Sequence, residues 1–191
     1  MESFKFLLEK LDITLQKYIP VKYQKLQQPL EQERVDQCLK ILGIDDENFR
    51  LLYNWKNGFD SNEGEDTRNQ IFNFGGLVSM EYIIEHTNHT DNWEKTFFPI
   101  ESSGDGDFIL FNKKRGKDFG KLHLFSAALL FIDSPISYYD SIYSMIQTCI
   151  LAYEQRIFKY DSVNDFLDID SRAFRELACK INPLSDYWKK N

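Results

Sequence analysis

The sequence is short of cysteine, of positive charge and of long apolar runs, and each shortage closes off a class of protein. Cys38, Cys149 and Cys179 are the three cysteines among 191 residues. Their number is odd, they lie far apart and none forms a Cys-x-x-Cys pair, which argues against a disulfide framework and a zinc knuckle. They are expected to be reduced thiols in packed positions. Lysine and arginine number 23 against 30 aspartates and glutamates, a formal net charge of -7. Free nucleic acid is therefore disfavoured, and a partner recognised through long-range electrostatics is expected to be basic. The first 18 residues alternate charged with apolar side chains and contain no continuous apolar block. They read as neither a signal peptide nor a membrane span, so no membrane partner is implied and a cytoplasmic location is expected.

Familiar catalytic spacings are missing too. No Ser-His-Asp or Cys-His arrangement stands out. Gly104-Asp105-Gly106-Asp107 lacks the Gly-Lys-Ser/Thr ending of a phosphate-binding loop and the further acidic ligands of a calcium loop; its glycines suit a turn between two strands. His86 and His89 stand three apart with Asp91 nearby, a spacing that could gather metal ligands on one helical turn, but the surrounding segment reads as a polar loop without a third ligand. Lys113-Lys114-Arg115-Gly116-Lys117 concentrates positive charge without interleaved aromatics, so it reads as a solvated hairpin tip. His123 falls in an expected strand, as a packed or surface group rather than a base. No catalytic residue, metal or cofactor is expected.

What is present is a chain able to bury about 70% of its unfolded surface, with 16 Phe, 10 Tyr and 3 Trp to fill a core. Helical spacing appears over residues 3–18, ending before Pro20, and again after Pro29 up to Gly43. A third helix is expected over about 46–57. Asp45, Asp46 and Glu47 suit its N-terminus, and Phe49, Leu52 and Trp55 recur every three residues. The Asn57-Gly58 pair then reads as a helix terminator, because the flanking residues do not alternate as a hairpin requires. A polar, acidic loop spans 61–70. Strands are expected around 71–74, 97–100, 108–111, 121–125 and 129–132, interrupted by a helix over 80–86 after Ser79. Ser137 to Asp140 has capping-box spacing ahead of a long helix reaching Ile157. A last helix is capped by Asp170 and stopped by Asn182-Pro183. The expected architecture is α+β, a single domain with a central, mostly antiparallel sheet of about five to six strands flanked by N-terminal and C-terminal helices. Residues 1–28 would be a helical extension on a domain spanning 29–191.

The order of these signals resembles the SUKH superfamily. The matching pieces are the helix pair meeting at Leu42-Gly43-Ile44, the Leu52-Tyr53-Asn54-Trp55-Lys56-Asn57-Gly58 end, and Phe98-Pro99-Ile100 leading to Gly104-Asp105-Gly106-Asp107. Gly120, the long helix near Ser137 and the Asn182-Pro183-Leu184-Ser185-Asp186-Tyr187-Trp188 tail complete the order. Bacterial members of that superfamily are largely immunity proteins that neutralise polymorphic toxins, and fungal relatives regulate cell-wall glucan synthesis. The resemblance implies no catalytic residue and makes Trp55, Gly58, Pro99 and Gly106 fold-determining; the first 28 residues have no counterpart in it. The expected function is that of an immunity protein, or antitoxin, binding a cognate toxin without catalysis, the toxin being a basic nuclease. Asp60, Glu63, Glu65, Asp66, Glu101, Asp105 and Asp107 would steer that partner from exposed loops. The alternatives are a regulatory adaptor of the cell-wall type and an enzyme with an unrecognised site.

Overall fold

Phe4, Leu7, Leu8, Leu11 and Leu15 share one face of α1 (Phe4–Tyr18), whose first turn is capped by the Ser3 side chain accepting the Phe6 amide. In the computed structural model, which describes residues 3–60, 69–89, 95–126 and 135–189, that face is buried in the same apolar cluster as the sheet. Pro20 does not end the helical region. It occupies the first turn of a short α2 (Pro20–Lys25), where its missing N–H costs nothing. Asp12 ties the two helices to the domain: its Oδ1 accepts from the Tyr23 hydroxyl at 2.7 Å and from the Trp55 indole N–H at 2.9 Å. Trp55 thus anchors at the margin of the core, half-buried against α1.

α3 (Gln32–Leu42) ends as expected at Gly43, which adopts a φ of 65°. α4 (Glu47–Trp55) is capped by Asp46, which accepts the Phe49 amide at 2.8 Å. It stops two residues earlier than expected, with Lys56 already extended. Gly58 is therefore not the helix stop. Its φ is 71°, and an added Cβ would lie 2.5 Å from the carbonyl oxygens of both Leu77 and Val78. The glycine lets one backbone lie directly on another, and the Phe59 amide then donates to Leu77 at 2.9 Å. The neighbouring Asn57 is buried. Its Oδ1 accepts the Met80 amide at 3.0 Å, and its Nδ2 donates to Gln27 and Glu81 at 2.9 Å each.

The sheet is formed by β1 (Gly76–Leu77), β2 (Phe97–Ser102), β3 (Phe108–Asn112), β4 (Leu122–Phe125) and β5 (Ile136–Tyr139), five strands in sequence order and all antiparallel. α5 (Met80–His89) leaves β1 with Ser79 accepting the Tyr82 amide. α6 (Ile142–Glu154) packs on the sheet beside α1, and a hairpin of β6 (Phe158–Asp161) and β7 (Phe166–Ile169) forms a second, two-stranded sheet. α7 (Ser171–Ile181), capped by Asp170, and the short α8 (Asp186–Lys189) close the chain. The class is α+β, as expected.

Four local differences have physical causes. Residues 71–74 are a turn rather than a strand, with the Ile71 and Phe72 amides both donating to the Gly75 carbonyl. The capping box is formed by Ser141 and Ser144 instead of residues 137–140, because Ser137 to Tyr139 belong to β5. α6 ends at Glu154, where Arg156 turns left-handed at φ 56°. The β6–β7 hairpin carries no glycine signal at its tip: Asp165 supplies the left-handed residue at φ 54°, and the Asp161 carboxylate accepts the Val163 and Asn164 amides. The expected strand at 129–132 lies outside the described residues.

Lys22 fastens α2 to that hairpin. Its side chain is fully buried, and Nζ lies 3.1 Å from both the carbonyl oxygen and Oδ1 of Asp165. Burial alone would raise the Asp165 carboxyl, but the Tyr160 hydroxyl and the Lys22 ammonium outweigh it and hold the group below its usual value. Lys22→Met keeps the aliphatic stem and removes the charge-assisted bonds, so it should cost about 2 kcal/mol. In hydrogen exchange the amides of β6 and β7 should lose protection while those of β2 and β3 keep theirs; equal loss in both sheets would refute a local fastening.

Candidate functional site

The structure separates the acidic residues that the sequence groups together. Asp60 follows Phe59, which bridges Val78 in parallel at the far end of β1. Asp105 and Asp107 occupy the β2–β3 turn, beyond the Gly76–Ser102 pair at the other end. Asp60 and Asp105 are exposed and Asp107 is half-buried. Glu63, Glu65 and Asp66 lie outside the described residues.

Glu101 corrects the expectation of an exposed loop carboxylate. Counting alternate side chains from the core-facing Phe98, Glu101 would point away from the core. The register slips by one residue between Pro99 and Glu101, however, so that Pro99 stands opposite Leu110 while Glu101 stands opposite Ile109 and Leu77. Ile109 and Leu77 belong to the core, and residues directly opposite share a face. The bulge turns Glu101 inward, to zero exposure.

There the carboxyl group meets an unusual environment. Neither oxygen has a hydrogen-bond partner among the described residues. Burial pushes the pKa well above the usual carboxylate range, and the nearby Gly75 amide pulls the other way without reaching hydrogen-bond geometry. Gly75 seals the position, since a Cβ there would lie 1.9 Å from the Ser102 carbonyl oxygen. Tyr138, Tyr139 and Cys149 lie close enough for the Glu101 charge to add to burial in raising their own pKa values. Burial thus disfavours the charged form of all four groups, and it lifts the Cys149 thiol well above its ordinary value, away from the thiolate a nucleophile needs.

On the outer side of Tyr138 a cavity of about 530 Å³ opens between β5, α7, α8 and the 71–74 turn. Of its lining residues Tyr138, Phe174 and Trp188 are buried and make the floor, Tyr187, Asn73 and Arg175 are half-buried, and Ser171 and Arg172 are exposed at the rim. The C-terminal tail builds this floor by docking on β5. The Trp188 indole N–H donates to the Tyr138 carbonyl at 2.6 Å, and the Ser185 hydroxyl donates to the Ser137 carbonyl at 2.9 Å. Asn182 accepts the Asp140 amide and donates to Thr148. The two arginines stand three apart on α7, a spacing that puts both on one face of the helix.

The His86 ring stacks on Tyr82 with centroids 3.6 Å apart, while the His89 side chain and Asp91 lie outside the described residues. Among the described residues no three His, Cys, Asp or Glu side chains are grouped to hold a metal. His123 is buried, and burial lowers its pKa. Lys113 is not part of a solvated tip: its Nζ donates to the Leu42 carbonyl at the end of α3 at 2.7 Å and lies over the Phe98 ring. Lys114, Arg115 and Lys117 are exposed. Cys38 and Cys149 are buried, whereas Cys179 is exposed, contrary to the packed position expected. No helix among the described residues is long and apolar enough to cross a membrane.

No family model matches the chain, and no curated protein matches it.

Proposed function

We propose that this protein is an immunity protein of the SUKH kind, which binds a basic toxin, a nuclease, and blocks it without doing chemistry. The supporting observation is that the residues carrying the resemblance fall on the joints of one fold. Asn57 and Gly58 join α4 to β1 and α5, Pro99 marks the bulge, Gly104 and Gly106 take positive φ in the β2–β3 turn, and the tail from Asn182 to Trp188 clasps β5. The net charge of -7 supports a basic partner, because opposite charge speeds diffusional encounter. Asp60, Asp105 and Asp107 remain candidates for that steering; Glu101 does not.

Coexpression with the product of the adjacent gene tests the reading. The expected result is rescue of growth, copurification of the two proteins, and an association rate that falls about tenfold or more as salt is raised. A neighbouring product that is harmless alone, or that fails to copurify, would overturn it.

A further inference from the structure

We infer that the cavity between β5, α7 and α8 binds a small oxyanion carried on a flat ring. The charge of its lining points to the anion. Arg172 and Arg175 share one face of α7, and among the described residues no acidic one lines the cavity, in a chain with net charge -7. The adjacent carboxylates are occupied elsewhere or screened. Asp170 accepts the Ala173 amide at 3.0 Å, and Glu176 meets Arg172 at 3.4 Å with both side chains largely in solvent. Arg175 has no ion pair among the described residues. Two guanidinium groups on a rim can hold phosphate or carboxylate oxygens by charge-assisted hydrogen bonds.

The floor points to the ring. Tyr138, Tyr187 and Trp188 lie with centroids 4.6–4.8 Å apart, and Phe174 joins Trp188 at 5.7 Å. Tyr187, the half-buried member of the group, offers its ring to a flat apolar body by offset or edge contacts, with the buried rings behind it. One polar group is also left over. The Tyr138 hydroxyl accepts from Asn73 Nδ2 at 2.5 Å, and its own proton meets no acceptor among the described residues although the residue is 2% exposed. A ligand oxygen would satisfy it. The volume of about 530 Å³ suits an aryl phosphate or aryl carboxylate.

The inference is independent of the immunity reading, and its test uses the intact protein without any partner. Phenyl phosphate, benzoate and inorganic phosphate are titrated separately while melting temperature and tryptophan fluorescence are followed. Phenyl phosphate or benzoate should raise the melting temperature with concentration, and whichever does so identifies the oxyanion. Inorganic phosphate should shift it less at the same concentration. The paired substitution Arg172→Gln with Arg175→Gln should weaken binding at least tenfold, whereas Lys114→Gln with Arg115→Gln, an equal charge loss elsewhere, should leave it unchanged. Arg175→Gln alone provides the same comparison with a smaller perturbation. No shift with either ring compound, equal binding by the arginine variants, or equal binding of inorganic phosphate would overturn the inference.

Discussion

Glu101→Gln should raise the melting temperature at pH 8 and leave it nearly unchanged at pH 4. The carboxyl group is fully buried with no hydrogen-bond partner among the described residues, and burial lifts its folded-state pKa well above the usual range. In the unfolded chain the same group ionises near pH 4.3. Below that pH both states hold the proton and glutamine mimics the neutral acid. Above it the unfolded state ionises freely while the folded state must keep its proton or bury a charge. Stability is therefore lost as pH rises from the unfolded toward the folded pKa, by about 1.4 kcal/mol for each pH unit in that window. Glutamine carries no such penalty. Tyr138, Tyr139 and Cys149, the titratable groups around Glu101, have pKa values raised by burial and stay neutral across this range. Denaturant titrations of both proteins between pH 4 and pH 8 measure the difference. A gap that does not widen with pH would mean that Glu101 is ionised and stabilised by a group not facing it here.

The path to Glu101 shows where sequence reading succeeds and where it stops. Helix spacing and capping residues act locally, so α1, α3, α7 and the start of α4 follow from runs such as Leu7, Leu11, Leu15 and from Asp46 and Asp170. Gly43 is a helix end for the same local reason. A β-bulge is a property of two strands: nothing within residues 97–102 says that Ile109 will face Glu101 instead of Ile100, yet that slip decides whether the carboxylate meets solvent or core. The β6–β7 hairpin has no local glycine signal: aspartates carry its turn, with Lys22 contributing from a distant helix. The cavity lies further still from local signals. Its floor joins Tyr138 to Trp188, fifty residues apart, through one indole-to-carbonyl hydrogen bond.

Gly58→Ala should be among the most damaging single-methyl changes in the protein, and Gly43→Ala shows why. Both glycines have left-handed backbones, at φ 71° and 65°, so alanine pays a similar conformational penalty of about 1–2 kcal/mol at each. At Gly43 the added methyl meets only the Lys113 ammonium, at 3.7 Å, an ordinary contact distance. At Gly58 it meets two carbonyl oxygens at 2.5 Å, both on the backbone of the segment that begins the sheet. The chain must then move apart where the Phe59 amide bonds to Leu77, where the Gln27 amide bonds to Gly58, and where Asn57 holds the start of α5. Losing even two of those interactions in a buried setting adds about 2–4 kcal/mol. Gly43→Ala should thus lower the melting temperature by about 2–8 °C and Gly58→Ala, at about 3–6 kcal/mol, by about 6–24 °C, for a domain of this size. Comparable shifts for the two variants would show that the joint between α4 and β1 yields easily, and that backbone conformation rather than close approach accounts for the glycine at position 58.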